Sequence, residues 1–456
     1  MGLVSAILIT ILLAAGCGSG TSTISPSLEN LASPASSTNN TSTPATNPSS
    51  ISSITTPGNT EIVYLDKFSL WTNGTQLRGA NIYQRLVYPV VFDDPETWGN
   101  GPLGPVYTQE DFDTLSAAGA NFIVLSHPGL FDDRPPYSLN TAVQDNLDRF
   151  IGMAEKADMF VVISFRTGPG RSEFTFFGVG DDDEFGKSHL NDEVWKDKTA
   201  QDEWVEMWRY TAARYCNQPV VVGYELMVEP NSNAVWLDDY EPANFYPAYE
   251  NTTYDWNQLY PRITSAIREV DKDTPILIGA LSWSQVRWLP YLKPTGDSRT
   301  VYTIHQYEPQ TQYTHQEADQ SGSFLNEYPG SFDTNWDGMS EDFNKAWIGN
   351  LLGTVDAFKI KYGVPVAATE YGAVRWEPGA DLFLDDEMAQ FEESGMNYAV
   401  WSWQPASEAY NQAHNEFNFR LGIDPANLAE GASKMYDTLK KYWAKNTIRP
   451  SSFIRQ

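Results

Sequence analysis

The stretch V-V-V-G-Y-E-L-M-V-E-P-N occupies residues 220–231. Its first half is β-branched and apolar at consecutive positions, as expected of a strand covered on both faces. Its second half ends in Glu229 followed at once by Pro230, a residue that cannot donate to a continuing ladder. A carboxylate is costly at the end of a buried strand unless it has a partner or a task. Glu229 is therefore a candidate for chemistry at a strand end.

Runs of the same kind recur along the chain: 77–83 (L-R-G-A-N-I-Y), 121–126, 159–165, 275–280, 300–307 (T-V-Y-T-I-H-Q-Y), 364–372 (V-P-V-A-A-T-E-Y-G) and 397–403 (N-Y-A-V-W-S-W). Amphipathic stretches separate them, with helices expected near 108–119, 142–157, 200–216, 255–270, 341–362, 383–394 and 428–445. The first opens on Thr108 with Asp111 at the capping-box position and closes on Gly119. Eight β-then-α units with doubly buried strands predict an α/β fold, a closed parallel (β/α)8 TIM barrel. A doubly wound open sheet is the rival, and no Gly-rich phosphate loop follows the first strand to support it. Ahead of the barrel, residues 61–77 read as a hairpin turning at Asn73-Gly74.

At 456 residues and 41% hydrophobic content the chain can bury a large core. A formal net charge of -29 repels phosphate backbones, which disfavours nucleic acid as a partner. The 15 Trp and 24 Tyr lean toward carbohydrate, because aromatic faces pack on sugar rings, though core filling accounts for any single ring equally well.

Residues 1–17 are an apolar run ending in L-L-A-A-G-C, a signal-peptide pattern of lipoprotein type with Cys17 as the acylated residue. Residues 18–60 are rich in Ser, Thr, Asn and Pro with a single charged residue, Glu29, a composition that forms no core and is expected to be a disordered tether. The barrel domain is expected over 61–456, on a secreted or cell-surface monomer touching a membrane only through that lipid. Cys216 then lacks a partner, so no disulfide supports the fold; a small buried residue is expected there.

In a barrel of this kind, polar groups at strand C-termini surround the site. They are Glu229, His305 and Tyr307 (same strand face by period two), Glu370, and Trp401 with Trp403 (also sharing a face). Two carboxylates at opposing strand ends suit glycoside cleavage. Glu225, four residues before Glu229, is read as a loop anchor or the partner of an arginine inside the barrel.

Taken in order, R-G-A-N (78–81), Y-E-L-M-V-E-P (224–230), H-Q-Y (305–307), T-E-Y-G (369–372) and W-S-W (401–403) resemble the motifs of glycoside hydrolase family 5, in the clan that also holds cellulases and β-mannanases. The resemblance spans about Glu61 to Trp443. It implies a retaining β-glycosidase of cellulase or mannanase type, with Glu229 as acid/base, Glu370 as nucleophile and Trp401 as the sugar platform. It implies no cofactor and no metal. The chain departs from the pattern at Val228, where the family carries asparagine, at Val124, where it carries arginine, and at Arg166, where it carries histidine. Arg166 is expected to hold the nucleophile ionised and to bind substrate. Either Asn231 or Asn233 replaces the missing amide, or the substrate differs at the hydroxyl it would bind, or activity is low. The changes also keep open a carbohydrate-binding barrel without catalysis, and a transglycosylase. The acidic run Asp181–Glu184 reads as a solvated face, with calcium as the lesser alternative.

Overall fold

The computed structural model describes residues 63–64, 66–88, 94–176, 189–316 and 326–455. The leader and linker expectations and the Asp181–Glu184 run lie outside these residues. The doubly buried runs form eight parallel strands: β1 (Arg78–Tyr83), β2 (Phe122–His127), β3 (Phe160–Phe165), β4 (Val221–Glu225), β5 (Ile276–Gly279), β6 (Thr300–Gln306), β7 (Val366–Tyr371) and β8 (Tyr398–Val400). They pair in sequence order, and β8 returns to β1, closing the barrel. Each of β1, β2, β3, β4, β6, β7 and β8 leads to a long helix: α1 (Gln109–Ala117), α2 (Thr141–Lys156), α3 (Lys198–Tyr215), α4 (Trp256–Val270), α5 (Lys345–Tyr362), α6 (Ala380–Glu393) and α7 (Lys434–Trp443). After β5 the expected alternation fails, and short turns including a 3₁₀ segment, Val286–Tyr291, stand in for the helix.

Local chemistry accounts for several boundaries. The Thr108–Asp111 capping box is formed and starts α1, a device worth about 1 kcal/mol. Gly119 ends that segment at φ 108, a left-handed conformation other residues rarely take. Gly79 has a different reason: a Cβ there would lie 1.8 Å from the Phe122 carbonyl oxygen, so β1 can approach β2 only with glycine.

Alternate strand residues face two cores. Outward residues pack under the helices, with Trp195, Trp204, Trp208, Trp256, Trp288 and Trp443 fully enclosed, so much of the aromatic content is structural. Inward residues at the N-terminal end form a second cluster: Phe122, Val124, Phe160, Val162, Val222, Leu277, Val301, Ala367 and Ala399, sealed by Leu70, Trp71 and Phe453. Val124, at the family's arginine position, belongs to this apolar floor.

The hairpin expected at Asn73-Gly74 is absent. Ser69–Thr72 is a helical turn, and Val63–Tyr64 pairs antiparallel with Ile454–Arg455 near the end of the chain. Adjacent Leu70 and Trp71 are both buried, and the Trp71 indole donates to the Val222 carbonyl at 3.0 Å. A strand would send two adjacent side chains to opposite faces; closing the barrel floor overrides the local turn signal. Cys216 is half-buried beyond α3, on the Ala213 carbonyl, and not enclosed as expected. Among the described residues no helix is long and apolar enough to cross a membrane.

Candidate active site

β4 ends at Glu225, so the chain leaves the sheet before Glu229. It does so under tight control. The Val228 N–H donates to the Phe165 carbonyl at 2.9 Å, and Glu229 takes a left-handed φ of 53. A non-glycine residue there is strained and needs surrounding contacts to hold it. Arg171, fully buried, supplies them: Nη1 donates to the Val228 carbonyl at 2.7 Å and Nη2 to the Glu229 carbonyl at 2.8 Å.

Glu370 is aimed by a different irregularity. Against β6, Ala368 pairs with Ile304 but Glu370 already pairs with His305, so Thr369 is an extra residue in β7. The bulge lets Thr369 and Glu370 both point into the barrel. Asn81 on β1 braces it, its amide donating to the Thr369 carbonyl at 2.8 Å and the Ala399 carbonyl at 3.2 Å.

The two glutamates converge. An oxygen of Glu229 and an oxygen of Glu370 lie within 4.8 Å of each other and of a His305 ring nitrogen. His305 Nδ1 is 3.0 Å from Glu229 Oε1 and 3.5 Å from Glu370 Oε2. The Tyr307 hydroxyl donates to Glu370 Oε2 at 3.2 Å. Burial pushes the Glu370 carboxyl up, and the Glu229 charge adds to this against the downward pull of His305 and Arg166. Burial opposes a charge on His305, but Glu370, then Glu225 and Glu229, outweigh it and raise the imidazole well above its usual value. Tyr307 is likewise raised, by burial first and then by Glu370 and Glu229, so its phenol stays protonated and can donate.

Beneath this group, Glu225 has no arginine within ion-pair distance among the described residues. Its Oε2 accepts from Ser164 Oγ at 2.6 Å, and its Oε1 accepts from Thr369 Oγ1 at 2.7 Å and Thr303 Oγ1 at 3.0 Å. Burial works against its charge, but His305, Ser164 and Thr369 together hold the carboxyl below its ordinary range.

The other expected site residues divide. Arg166 does not touch Glu370. Its Nε pairs with Glu173 at 3.3 Å and its Nη1 donates to Ser126 at 3.1 Å, with the guanidinium packed between the Tyr83 and Phe176 rings. It acts on Glu370 only through space, pulling that carboxyl down as expected of a nearby cation, but burial and the neighbouring carboxylates outweigh the pull and the net displacement is upward. Asn231 is fully buried, its amide on the Thr175 carbonyl at 2.9 Å. Asn233 joins the Asp239 carbonyl to the Ser282 N–H. Asn233 is spent on loop structure at both ends of its amide, whereas Asn231 uses only its NH2 there and its buried Oδ1 has no hydrogen-bond partner among the described residues. Val228 is itself buried, at 1% exposure, so its side chain is not part of the cleft wall.

Trp401 is half-buried and meets Tyr83 edge-on at 5.6 Å. Trp403 is enclosed, its indole donating to the Asp111 carbonyl at 3.0 Å. The shared face expected for this pair fails because β8 ends at Val400, before strand alternation can reach them. Arg171 and the bracing role of Asn81 were not signalled by the sequence alone, since arginine on a loop and asparagine on a strand each have many common uses.

A parallel eight-stranded barrel with paired glutamates at its C-terminal mouth is an arrangement suited to glycoside cleavage. The comparison with known proteins agrees: the profile of Cellulase (glycosyl hydrolase family 5) matches residues 73–407, most of the chain, and the chain belongs to that family. Endoglucanase C of Acetivibrio thermocellus is 24% identical over 334 residues, 67% of this chain and 86% of that protein. The endoglucanase Cel5A of Thermotoga maritima superposes with a TM-score of 0.57 at 20% identity, covering 82% of this chain and 100% of that one. Endoglycoceramidase of Hydra vulgaris is 30% identical over 112 residues, 24% of this chain and 21% of that protein. The protein is a glycoside hydrolase.

Proposed function

We propose that the protein cleaves a β-linked glucan or mannan with retention, by double displacement between Glu229 and Glu370. The observation that carries this reading is the approach of their oxygens to within 4.8 Å. Retaining pairs stand roughly 5–5.5 Å apart, while inverting pairs leave about 6.5–9.5 Å for a water. Glu229, the more exposed carboxylate, protonates the leaving oxygen, and a Glu370 oxygen bonds the anomeric carbon. Water assisted by Glu229 then hydrolyses the glycosyl ester. Tyr307 orients the attacking carboxylate, and Trp401 offers a ring face to the sugar. The endoglucanase relatives favour glucan; a Thermotoga maritima Cel5A structure in complex with mannotriose keeps mannan in the panel.

The full chain assayed on cellulose, mixed-linkage β-glucan, mannan and xylan should show turnover on a glucan or mannan. Glu370→Ala and Glu229→Ala should each abolish it. Turnover surviving both substitutions contradicts the site, and binding without turnover in the parent favours a non-catalytic barrel. We also infer export with a lipid on Cys17; labelled palmitate incorporated by the parent and lost in Cys17→Ala is the expected result.

A further inference from the structure

Glu225 is enclosed at 2% exposure, deeper than the reacting groups require. Its three hydroxyl partners, Ser164, Thr303 and Thr369, come from β3, β6 and β7, so the cage around it closes only in the finished barrel. Hydroxyls that all donate to one carboxyl select its ionised form. An ionised group this deep is costly unless another charge answers it. The group that faces it is His305. Nε2 of that ring lies 3.9 Å from Glu225 Oε1, an ion-pair distance longer than a hydrogen bond. Nε2 has no hydrogen-bond partner among the described residues. The same imidazole turns Nδ1 to Glu229 and Glu370. One ring thus connects an interior carboxylate to the reacting pair.

We propose, resting on the two-glutamate reading, that Glu225 is a positioning residue which, through His305, maintains a fixed positive charge between Glu229 and Glu370. The chemistry gives that charge a purpose. In the first step the proton leaves Glu229 for the departing oxygen while Glu370 forms its bond to carbon. One negative charge therefore moves from Glu370 to Glu229, and Nδ1 lies beside both ends of that movement. Preorganised charge of this kind needs no rearrangement during the reaction. The charged or titratable groups facing the cluster are Glu225, Glu229 and Glu370 around His305, with Arg166 and Glu225 acting on Glu370 through space and Tyr307 hydrogen-bonded to it. Glu225 touches neither substrate nor reacting atom; its proposed effect runs through the imidazole and is opposite in sign to the direct push of its charge on Glu370.

The chain has five histidines, so ring-nitrogen NMR of selectively labelled protein can follow His305 without any activity. In the parent, His305 should be an imidazolium at pH 7. In Glu225→Gln its titration midpoint should fall by about one unit or more. With a soluble oligosaccharide substrate, kcat should drop roughly 10- to 100-fold while KM changes less than about threefold. The acid limb of the kcat profile should move to higher pH, because Glu370 loses its cationic neighbour. Ser164→Ala, which removes one hydroxyl from the cage, should produce the same shifts at smaller size if Glu225→Gln folds poorly. An unchanged His305 titration in both variants overturns the proposal. So does an acid limb that moves down, the direct effect of deleting a nearby negative charge. If the two-glutamate reading is wrong, the kinetic arm fails already in the parent, while the histidine titration still decides the role of Glu225.

Discussion

The two halves of the barrel interior are built from the same eight strands and differ in almost everything else. The N-terminal half is apolar, from Phe122 and Phe160 to Ala399, and is sealed by Trp71. The C-terminal half holds Ser164, Glu225, Thr303, His305, Thr369 and Glu370, all buried and joined by hydrogen bonds or ion pairs. Moving two or three residues along β3 or β6 passes from floor to chemistry. The floor supplies the stability that the upper half, with its crowded carboxylates, draws down.

The largest effect should come from the upper half. Glu370→Ala and Glu229→Ala should each lower kcat by roughly 10³-fold or more with native folding retained. Added azide should restore turnover to Glu229→Ala on a substrate with an activated leaving group. A loss below tenfold for either variant would break the division of labour. In the floor, Phe160→Ala should cost about 3–5 kcal/mol of unfolding free energy, seen by denaturant titration. Its kcat at low temperature should stay within about twofold of the parent. A large kcat loss in folded protein would mean that the floor shapes the site directly.

A finer comparison uses two tryptophans two residues apart. Trp401→Ala should lower kcat/KM about 10- to 100-fold with little change in Tm. Trp403→Ala should lower Tm and leave the kinetics of the folded protein nearly unchanged. The opposite pattern would place the platform at Trp403. The smallest effect concerns stability against pH. Folding favours the acid form of Glu370, so its stabilisation is complete below the ordinary carboxylate range and is lost as pH rises through the raised value. Glu370→Gln stays neutral throughout. Its Tm should match the parent near pH 4 and exceed it by a few degrees at pH 8. Equal slopes would show that Glu370 is not strained by its surroundings.

Much of the barrel was legible because doubly buried strands write continuous β-branched runs, and because capping chemistry such as Thr108–Asp111 is local. What was not legible depends on partners distant in sequence. The helical turn at Leu70 and Trp71 exists because the floor needs both rings. The bulge at Thr369 defeats simple alternation, which puts Thr369 and Glu370 on opposite faces. Arg171 is recognisable only through the Val228 and Glu229 carbonyls it clamps. Glu225 read as a loop anchor because its three hydroxyls come from three different strands. Val228 stands out in the motif, yet its buried side chain changes the cleft less than its position in the sequence implies.

The central claim is that Glu229 and Glu370 act as a retaining pair. Proton NMR of the anomeric signals, recorded in the first minutes of hydrolysis of a soluble β-linked oligosaccharide, tests it most directly. With a retaining pair the β-anomer appears first and the α-anomer only later by mutarotation. Initial release of the α-anomer would contradict it.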